Sequence, residues 1–542
     1  MIRNGSVVDG TGNPWFRADV GIEGEKIVKI GSISSADAES TIDAKGLIVC
    51  PGFIDIHHHS DAMLLVNPVA ESHVRQGVTT LCMGNCGESA APLKGYEKER
   101  AKRIMNKYGV NVDWSTFGGF LEKLESAGVS PNVASLVGHG TVRSCVMGYE
   151  GRLPTSKELE EMKDLVDGAM KDGAFGLSTG LIYAPGFFSN TEEIKELCKV
   201  VARYHGIYAT HMRDSVMKYK ESVQEAIEIG RDSGVPVQIS HIESHYPAWG
   251  QTEGVLKLVD EARAEGIDVA CDVPPYKYSA SGLTTLIPDW VQEGGSAEMK
   301  KRLANREMRE KIRQSIMTDK DAKKNTHIWL AYSGQWDKII LTDSETDPSM
   351  VGQTIESIAK RKGVDPYELV FDLLLKEESA PGIITGAHNE DDICKVVSYP
   401  VAMSESDAGI CAPYGALGKD RPHPRTYGTF PLAFRKYVRG ETRKELPLEV
   451  GMKLLTDEEM VRKMTSLSAQ RLQLRDRGML REDFYADVVL FDPGRIEDLA
   501  TYENPHQYPN GIEYVVVNGK TVVRKGEHLG AKPGKILRLK AE

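Results

Sequence analysis

The chain has 542 residues, and its 67 Lys and Arg against 78 Asp and Glu give a net charge of −11. With 41% hydrophobic and 27% charged residues, its composition is typical of a globular protein and excludes a wholly disordered chain. The acidic balance argues against a nucleic-acid partner, because a surface that grips phosphates must be basic. Eight Cys in a chain of this length are too few for a disulfide scaffold.

Targeting and membrane signals are absent from the sequence. The first residues lack the apolar core of a secretory signal, and no stretch is long and apolar enough to span a membrane. We therefore expect a cytoplasmic protein with reduced thiols and no membrane partner. In that setting an unusual Cys indicates a metal ligand or a nucleophile rather than half of a disulfide.

Both ends of the chain contain short strand-like runs separated by Gly and Asp turns. Residues 1–48 and residues 483–542 share this pattern, and Tyr514–Val517 and Thr521–Val523 flank an Asn-Gly turn that is typical of a hairpin. Each end alone is too short to bury much core. The sequence therefore predicts one small β-sandwich domain built from both termini.

Between the two ends, short apolar runs alternate with helix-period segments. Eight strand–helix units predict a parallel sheet closed into a (β/α)8 TIM barrel over residues 49–482, an α/β fold. A long stretch between the seventh and eighth strands predicts an inserted lobe over the barrel mouth at about residues 283–345. The eight predicted strands are Phe53–His57, Thr79–Met83, Val133–Val137, Ala174–Ser178, Ile207–His211, Val237–His241, Asp268–Asp272 and Val401–Ser404.

Metal-binding side chains follow five of these strands, at the barrel end where active sites lie. Because residues two apart share one face of a strand, His57 and His59 should point into the mouth and His58 away from it. A single His at a strand end is more often structural, but five strand ends converging on one rim predict a metal site. The residues at these ends are His57, His59, Cys86, His211, His241 and Asp407.

Several motifs carry a resemblance to a known family. The segment PGFIDIHHHSD resembles the signature that opens the barrel of the amidohydrolase superfamily. The segments GNCG, GHGTVR, GLSTGLIYAPG, THMRD, ISH, YKYSASGLTTLIPDW and HPRTYGTF follow in the order found in its N-acyl-D-amino-acid deacylases, the D-aminoacylases. The resemblance continues to the closing ADVVLFDP. It implies zinc-dependent hydrolysis of the amide bond of an N-acyl-D-amino acid, which releases a carboxylate and a D-amino acid.

The resemblance also implies a set of metal ligands. Many superfamily members carry a carboxylated Lys on the fourth strand, whereas this chain has no Lys there and is similar to the members that use a Cys after the second strand. One tight Zn²⁺ site is implied at Cys86, His211 and His241, which suits a borderline-soft ion. A second, weaker site is implied at His57, His59 and Asp407, and its occupancy stays open. Asp407 is the implied catalytic residue, which takes a proton from water at the metal and passes it to the leaving amine.

A further set of residues is expected to contact the small-molecule N-acyl amino acid. By resemblance, Arg425 and Tyr276 contact the substrate carboxylate, and Tyr183 lines the pocket. The alternative for Arg425 is an ion pair with a structural Asp or Glu. Glu243 lies where many relatives carry a Lys, and a carboxylate there would repel the substrate carboxylate unless it were protonated or paired. His388 lies where relatives often have an apolar residue, and it is expected to contact a polar substrate group, to cap a helix or to lie at the surface.

Two alternatives remain open at this point. Glu243 leaves room for a related amidohydrolase that cleaves a D-residue-containing dipeptide, a cyclic amide or another carboxamide. A metal-binding scaffold protein without chemistry is the contrasting class, and Asp407 argues against it because a structural zinc site needs no acid–base residue. His139, at the end of the third strand, is expected to support the ligands rather than bind metal. Assembly into oligomers is also left open.

Overall fold

The computed structural model describes residues 1–34, 38–319, 325–443 and 451–540. Each predicted domain includes a few residues outside these ranges. Within the described part of the chain, no helix combines the length and the apolar character needed to cross a bilayer.

The central architecture is the predicted barrel of eight parallel strands. Each predicted strand is confirmed, although the third runs in two pieces: its first half pairs with the second strand and its second half with the fourth. Every residue of these strands is buried, because side chains fill the interior and helices cover the outside. The strands are Phe53–Asp55, Val78–Met83, Asn132–Ser135 with Val137–Gly138, Gly176–Gly180, Ile207–His211, Val237–Ile239, Val269–Val273 and Ala402–Ser404.

The first and eighth strands close the barrel just beyond their carboxyl ends. His58 forms a parallel bridge with Ala408, and the His59 N–H donates to the Ala408 carbonyl oxygen at 2.9 Å. The Asp407 N–H donates to the His57 carbonyl oxygen at 3.1 Å. Closure therefore brings the residues after the first strand beside those after the eighth.

Amphipathic helices surround the barrel and connect its strands. Helix Ser156–Lys171 shows why the sequence forms them: Thr155 and Glu158 make a capping box at its start, and its apolar side is buried on the barrel. The covering helices are Glu71–Val74, Gly95–Asn106, Phe117–Ala127, His139–Met147, Ser156–Lys171, Thr191–Ala202, Tyr219–Ser233, Thr252–Ala264, Glu390–Ser398, Arg425–Ala433 with a π-helical continuation at Phe434–Arg439, Asp457–Met464 and Ser466–Arg471.

Both termini contribute strands to one seven-stranded sheet. Its order is Glu527–His528, Lys520–Arg524, Ile512–Val517, Val488–Phe491, Ile48–Pro51, Ser6–Val7 and Phe16–Arg17. A four-stranded sheet follows the order Lys26–Gly31, Asp19–Glu23, Ile2–Arg3 and Ile42–Asp43. The predicted hairpin is present: Asn518 and Gly519 have φ of 47° and 77°, as a tight two-residue hairpin turn requires.

A segment with its own hydrophobic cluster lies between the seventh and eighth barrel strands. The cluster runs from Leu283 to Ile383, so it continues beyond the predicted end of the lobe at residue 345. Its antiparallel sheet has the order Tyr278–Gly282, Gly382–Gly386 and Ile339–Leu341. Its helices are Ser296–Ala304, Arg306–Thr318, Thr326–Tyr332, Ile355–Lys362 and Pro366–Lys376. The exact domain boundaries stay a prediction.

Candidate active site and metal centre

A cavity of about 500 Å³ opens at the carboxyl ends of the barrel strands, beneath the inserted segment. Five of the six metal-competent residues line it, namely His59, Cys86, His211, His241 and Asp407. His57 lies beneath them and is fully buried. His58 does point away, as predicted: it is buried against Ser60 and His73. The site therefore forms where barrel geometry places catalytic groups.

The loop that carries Cys86 is held in one conformation by the fourth strand. Ser178 accepts a hydrogen bond from the Gly87 N–H at 3.0 Å and donates to the carbonyl oxygen of Gly84. A Cβ on Gly180 would lie 2.0 Å from the Cys86 carbonyl oxygen, so that strand end must be free of a side chain. The Cys86 loop thus packs against Gly180 at the end of the fourth strand, which contains no Lys.

Three of the metal-competent residues have a left-handed backbone conformation. The φ angles are 49° at Cys86, 34° at His241 and 47° at Asp407. Such conformations are costly for residues other than Gly and persist only where the surroundings impose them, which is common at functional sites. Asp272 imposes one of them, because its Oδ1 accepts the backbone N–H of His241 at 2.7 Å.

The Cys86, His211 and His241 side chains converge at distances that suit a tetrahedral zinc ion. The Cys86 Sγ lies 3.7 Å from His211 Nδ1 and 3.9 Å from His241 Nε2. Zn–S and Zn–N bonds of about 2.3 and 2.0 Å at a tetrahedral angle place sulfur and nitrogen about 3.5 Å apart. One thiol and two imidazoles therefore fit Zn²⁺ and leave one coordination position open.

A second group of possible ligands shares Cys86. His57 Nε2 lies 3.3 Å from Cys86 Sγ and 3.2 Å from His59 Nε2. The Asp407 Oδ1 lies 2.9 Å from His59 Nε2 and 3.5 Å from His57 Nε2. The Cys86 sulfur belongs to both groups. The sequence analysis assigned it only to the group with His211 and His241.

Asp407 is held between a His and an Arg. Its Oδ1 contacts His59, and its Oδ2 accepts a hydrogen bond from the Arg425 Nη1 at 2.8 Å. Burial raises the pKa of this carboxyl, but the Arg425 guanidinium and the neighbouring His side chains outweigh burial and hold the pKa well below its usual range. Asp407 is therefore a carboxylate at neutral pH and can accept a proton.

Burial keeps the imidazoles of His211 and His241 in the neutral form that metal binding requires. It lowers the pKa of His241 to about 4 and that of His211 well below its usual value. Burial and the nearby Asp407 raise the pKa of the Cys86 thiol. A bound cation reverses that effect, because a coordinating thiol loses its proton.

The residues predicted to contact substrate are only partly brought together. Tyr183, Glu243, His388 and Arg425 line the cavity. Tyr276 does not line it: this buried side chain packs edge-on against the ring of His423, with the ring centroids 5.0 Å apart. Tyr183 packs on the ring of His211 at 5.1 Å and contacts Ser281 of the inserted segment.

Sequence reasoning missed two His residues in the cavity wall. His245 lies four residues after His241, and its ring is 4.4 Å from that of His388. His327 comes from the inserted segment and contacts Thr385 Oγ1 through its Nδ1 at 3.0 Å. A second His shortly after the sixth strand was a usable signal for His245, whereas no local pattern indicated His327.

His139, which is expected to support the ligands, is buried and contacts a partner that no motif showed. Its Nε2 contacts the Glu193 Oε1 at 2.8 Å, and the Arg143 Nη1 donates to the Glu193 Oε2 at 2.5 Å. All three side chains are buried. The network joins the helix after the third strand to the helix after the fourth.

Replacing Glu193 with Ala is expected to destabilise the fold by about 3–5 kcal/mol, because Arg143 then remains buried without its partner. Urea unfolding followed by circular dichroism measures the change. Glu192→Ala is the matched control on the same helix: its exposed carboxylate pairs with Lys195 at 3.0 Å, and its loss should cost under about 1 kcal/mol. Equal, small changes in the two variants would contradict a structural role for the network.

Comparisons with known proteins agree with this architecture. A model of the amidohydrolase family matches residues 40–523. The chain is 33% identical to a D-aminoacylase from Alcaligenes xylosoxydans xylosoxydans, over 99% of this chain and 97% of the relative. It is 34% identical to an N-acyl-D-glutamate deacylase from the same organism, over 99% of this chain and 96% of the relative.

A solved structure extends the likeness to three dimensions. The crystal structure of N-acyl-D-glutamate deacylase from Bordetella bronchiseptica, complexed with zinc and a phosphonate inhibitor that mimics the tetrahedral intermediate, matches with a TM-score of 0.80. The identity is 31%, and the match covers 99% of this chain and 98% of that chain. The barrel and the Cys, His and Asp side chains at its mouth define a metal-binding hydrolase barrel. The chain belongs to the amidohydrolase family and, within it, to the D-aminoacylases.

Proposed function

We propose that this chain is a zinc-dependent deacylase that hydrolyses the amide bond of N-acyl-D-amino acids. The products are a carboxylate and a free D-amino acid. The observation that carries the proposal is the Asp407 carboxylate at the cavity wall, beside the converging Cys86, His211 and His241 side chains. The named activities of the relatives, D-aminoacylase and N-acyl-D-glutamate deacylase, support it over the full length of the chain.

The donor sets fit zinc, and the two groups differ in softness. Cys86, His211 and His241 would hold the tight ion, because a thiolate adds soft character to two imidazoles. His57, His59 and Asp407 would hold a second, weaker ion with harder ligands, next to the shared sulfur. When bound, Zn²⁺ supplies Lewis acidity, which polarises an amide carbonyl and makes water a better nucleophile at neutral pH.

Asp407 would move the proton of the reaction. Its carboxylate is ionised at neutral pH, so it can accept a proton from the attacking water. The same carboxyl group can then donate that proton to the amide nitrogen as the bond between carbonyl carbon and nitrogen breaks. The contacts with His59 and Arg425 hold both oxygens in place, which orients the group toward the cavity.

The substrate would lie in the cavity between the strand ends and the inserted segment. Tyr183 contributes an aromatic ring that contacts His211 in an edge-type arrangement, and Arg425 contributes a cation at the wall. Glu243 and His388 line the same cavity. For Tyr276 we keep only the expectation from resemblance, because its side chain lies outside the cavity wall.

We infer that the enzyme works in the cytoplasm. All eight cysteines are described and are free thiols, which matches a reducing compartment. The partner that we propose is the small-molecule substrate.

A substrate panel tests the proposed activity. The zinc-loaded enzyme should hydrolyse N-acetyl-D-amino acids at least about 100-fold faster, by kcat/KM, than their L enantiomers, a difference of about 2.7 kcal/mol in transition-state binding. Amine release measured by ninhydrin or a coupled oxidase gives the rates. D-terminal dipeptides and cyclic amides belong in the same panel. Turnover confined to either of those classes would replace the proposal with the corresponding carboxamide hydrolase.

A further inference from the structure

A second cluster of ligand-type side chains lies beside the metal centre. Glu243, His245 and His388 are all buried and all line the cavity. One ligand atom from each lies within 4.8 Å of the others. The ring of His245 is 6.4 Å from that of His241, so the cluster adjoins the centre without sharing any of its members.

The polar atoms of this cluster are not satisfied within the described protein. Neither oxygen of Glu243 accepts a hydrogen bond from another described residue, and the same holds for His245 Nε2 and His388 Nδ1. His388 Nδ1 lies 3.4 Å from Glu243 Oε1. Burying a carboxyl group and two ring nitrogens without partners is costly, which indicates that a ligand completes the cluster.

The surroundings of His245 prepare it to bind a metal ion. Its Nδ1 contacts the Ser215 Oγ at 3.1 Å, a contact in which the hydroxyl oxygen can accept the ring N–H. That bond leaves the lone pair on Nε2, which is buried and has no hydrogen-bond partner among the described residues. Metal-binding His residues commonly hold their second nitrogen in this way.

The cluster can supply a positive charge for the substrate carboxylate. Arg425, the cation expected to meet that carboxylate, is paired with Asp407 at 2.8 Å. A divalent ion on one carboxylate and two neutral imidazoles would leave a net charge of +1, which attracts a carboxylate.

We propose that Glu243, His245 and His388 bind a divalent transition-metal ion, and that this ion receives the substrate carboxylate. The metal site stands independently of the proposed function, and only the contact between the ion and the substrate carboxylate rests on that function. One carboxylate and two imidazoles are a donor set that suits Zn²⁺, and three protein ligands leave a position for a carboxylate oxygen. In an N-acyl amino acid the carboxylate carbon lies two bonds from the amide nitrogen. A cation that receives it must therefore adjoin the reaction centre, as this cluster does.

Zinc stoichiometry tests the site without any substrate. Wild-type protein and the variants Glu243→Gln and His388→Ala are dialysed against buffered free Zn²⁺ and measured by inductively coupled plasma mass spectrometry. Each variant should bind one zinc fewer than the wild type, with unchanged circular dichroism. His327→Ala is the matched control, because it removes a buried cavity His outside the cluster and should leave the stoichiometry unchanged.

Kinetics test the link to the substrate. Glu243→Gln should raise KM for an N-acetyl-D-amino acid at least about tenfold, since a contact to a charged group is lost, while kcat changes less. Glu243→Lys should lack the extra zinc and yet recover much of the lost affinity, because it supplies the cation directly.

Equal zinc contents in wild type, Glu243→Gln and His388→Ala would overturn the metal site. Should those variants then lose affinity only for substrates with a cationic group, the cluster binds a substrate ammonium instead. If the variants bind one zinc fewer and the wild-type enzyme has no measurable deacylase activity, the metal site is upheld and the proposed function is rejected.

Discussion

Replacing Asp407 with Asn is expected to lower kcat by about 10²–10⁴-fold, the usual contribution of a positioned acid–base group. The amide keeps the shape of the side chain but cannot accept a proton from water. The tight site should stay filled, because its ligands are Cys86, His211 and His241, and Asp407 is not one of them. Steady-state kinetics together with zinc analysis of the same preparation therefore separate proton transfer from metal loss.

A matched control for Asp407→Asn exists at the opposite end of the barrel. Asp487 is buried, contacts Arg477 and accepts a hydrogen bond at 3.0 Å from Asn132, the first residue of the third strand. Asp487→Asn removes the same charge from the same kind of pair, so it should lower stability and leave kcat per folded molecule unchanged. Near-normal turnover in Asp407→Asn would remove the acid–base role of that residue.

The barrel could be predicted from the sequence because its strands are buried on both faces. Such strands appear as short apolar runs between helix-period segments, and the predicted strand Ile207–His211 has those bounds in the structure. The inserted segment was harder to delimit. Its sheet pairs Tyr278–Gly282 with Gly382–Gly386, residues about a hundred positions apart, and no local pattern reports such a pairing.

In the site too, the residues at strand ends could be predicted from local sequence, whereas contacts between distant segments could not. The strand-end rule located His57, His59 and Asp407, and the closure of the barrel explains why residues 348 positions apart meet. The partners of individual side chains could not be predicted from the sequence, because they depend on which helices pack together. Glu193 beneath His139 and His388 beside Glu243 are pairs of this kind.

Removing the sulfur of Cys86 should have the largest effect on metal binding. Cys86 belongs to both possible ligand groups, and it is the one soft donor among the six residues at the centre. Cys86→Ala is therefore expected to lose the tight zinc during dialysis against a chelator. The loss of several kcal/mol of metal-dependent stabilisation should lower kcat/KM at least about 10³-fold.

Cys82→Ala is the matched control for that change. Cys82 is a buried thiol on the second barrel strand, only four residues before Cys86, and it belongs to none of the ligand groups among the described residues. It should keep the zinc and most of the activity. In Co²⁺-substituted protein, thiolate-to-metal charge-transfer absorption should be present in Cys82→Ala and absent in Cys86→Ala. Zinc retained by Cys86→Ala at the wild-type affinity would show that the His side chains alone make the site, and the special role of the sulfur would have to be abandoned.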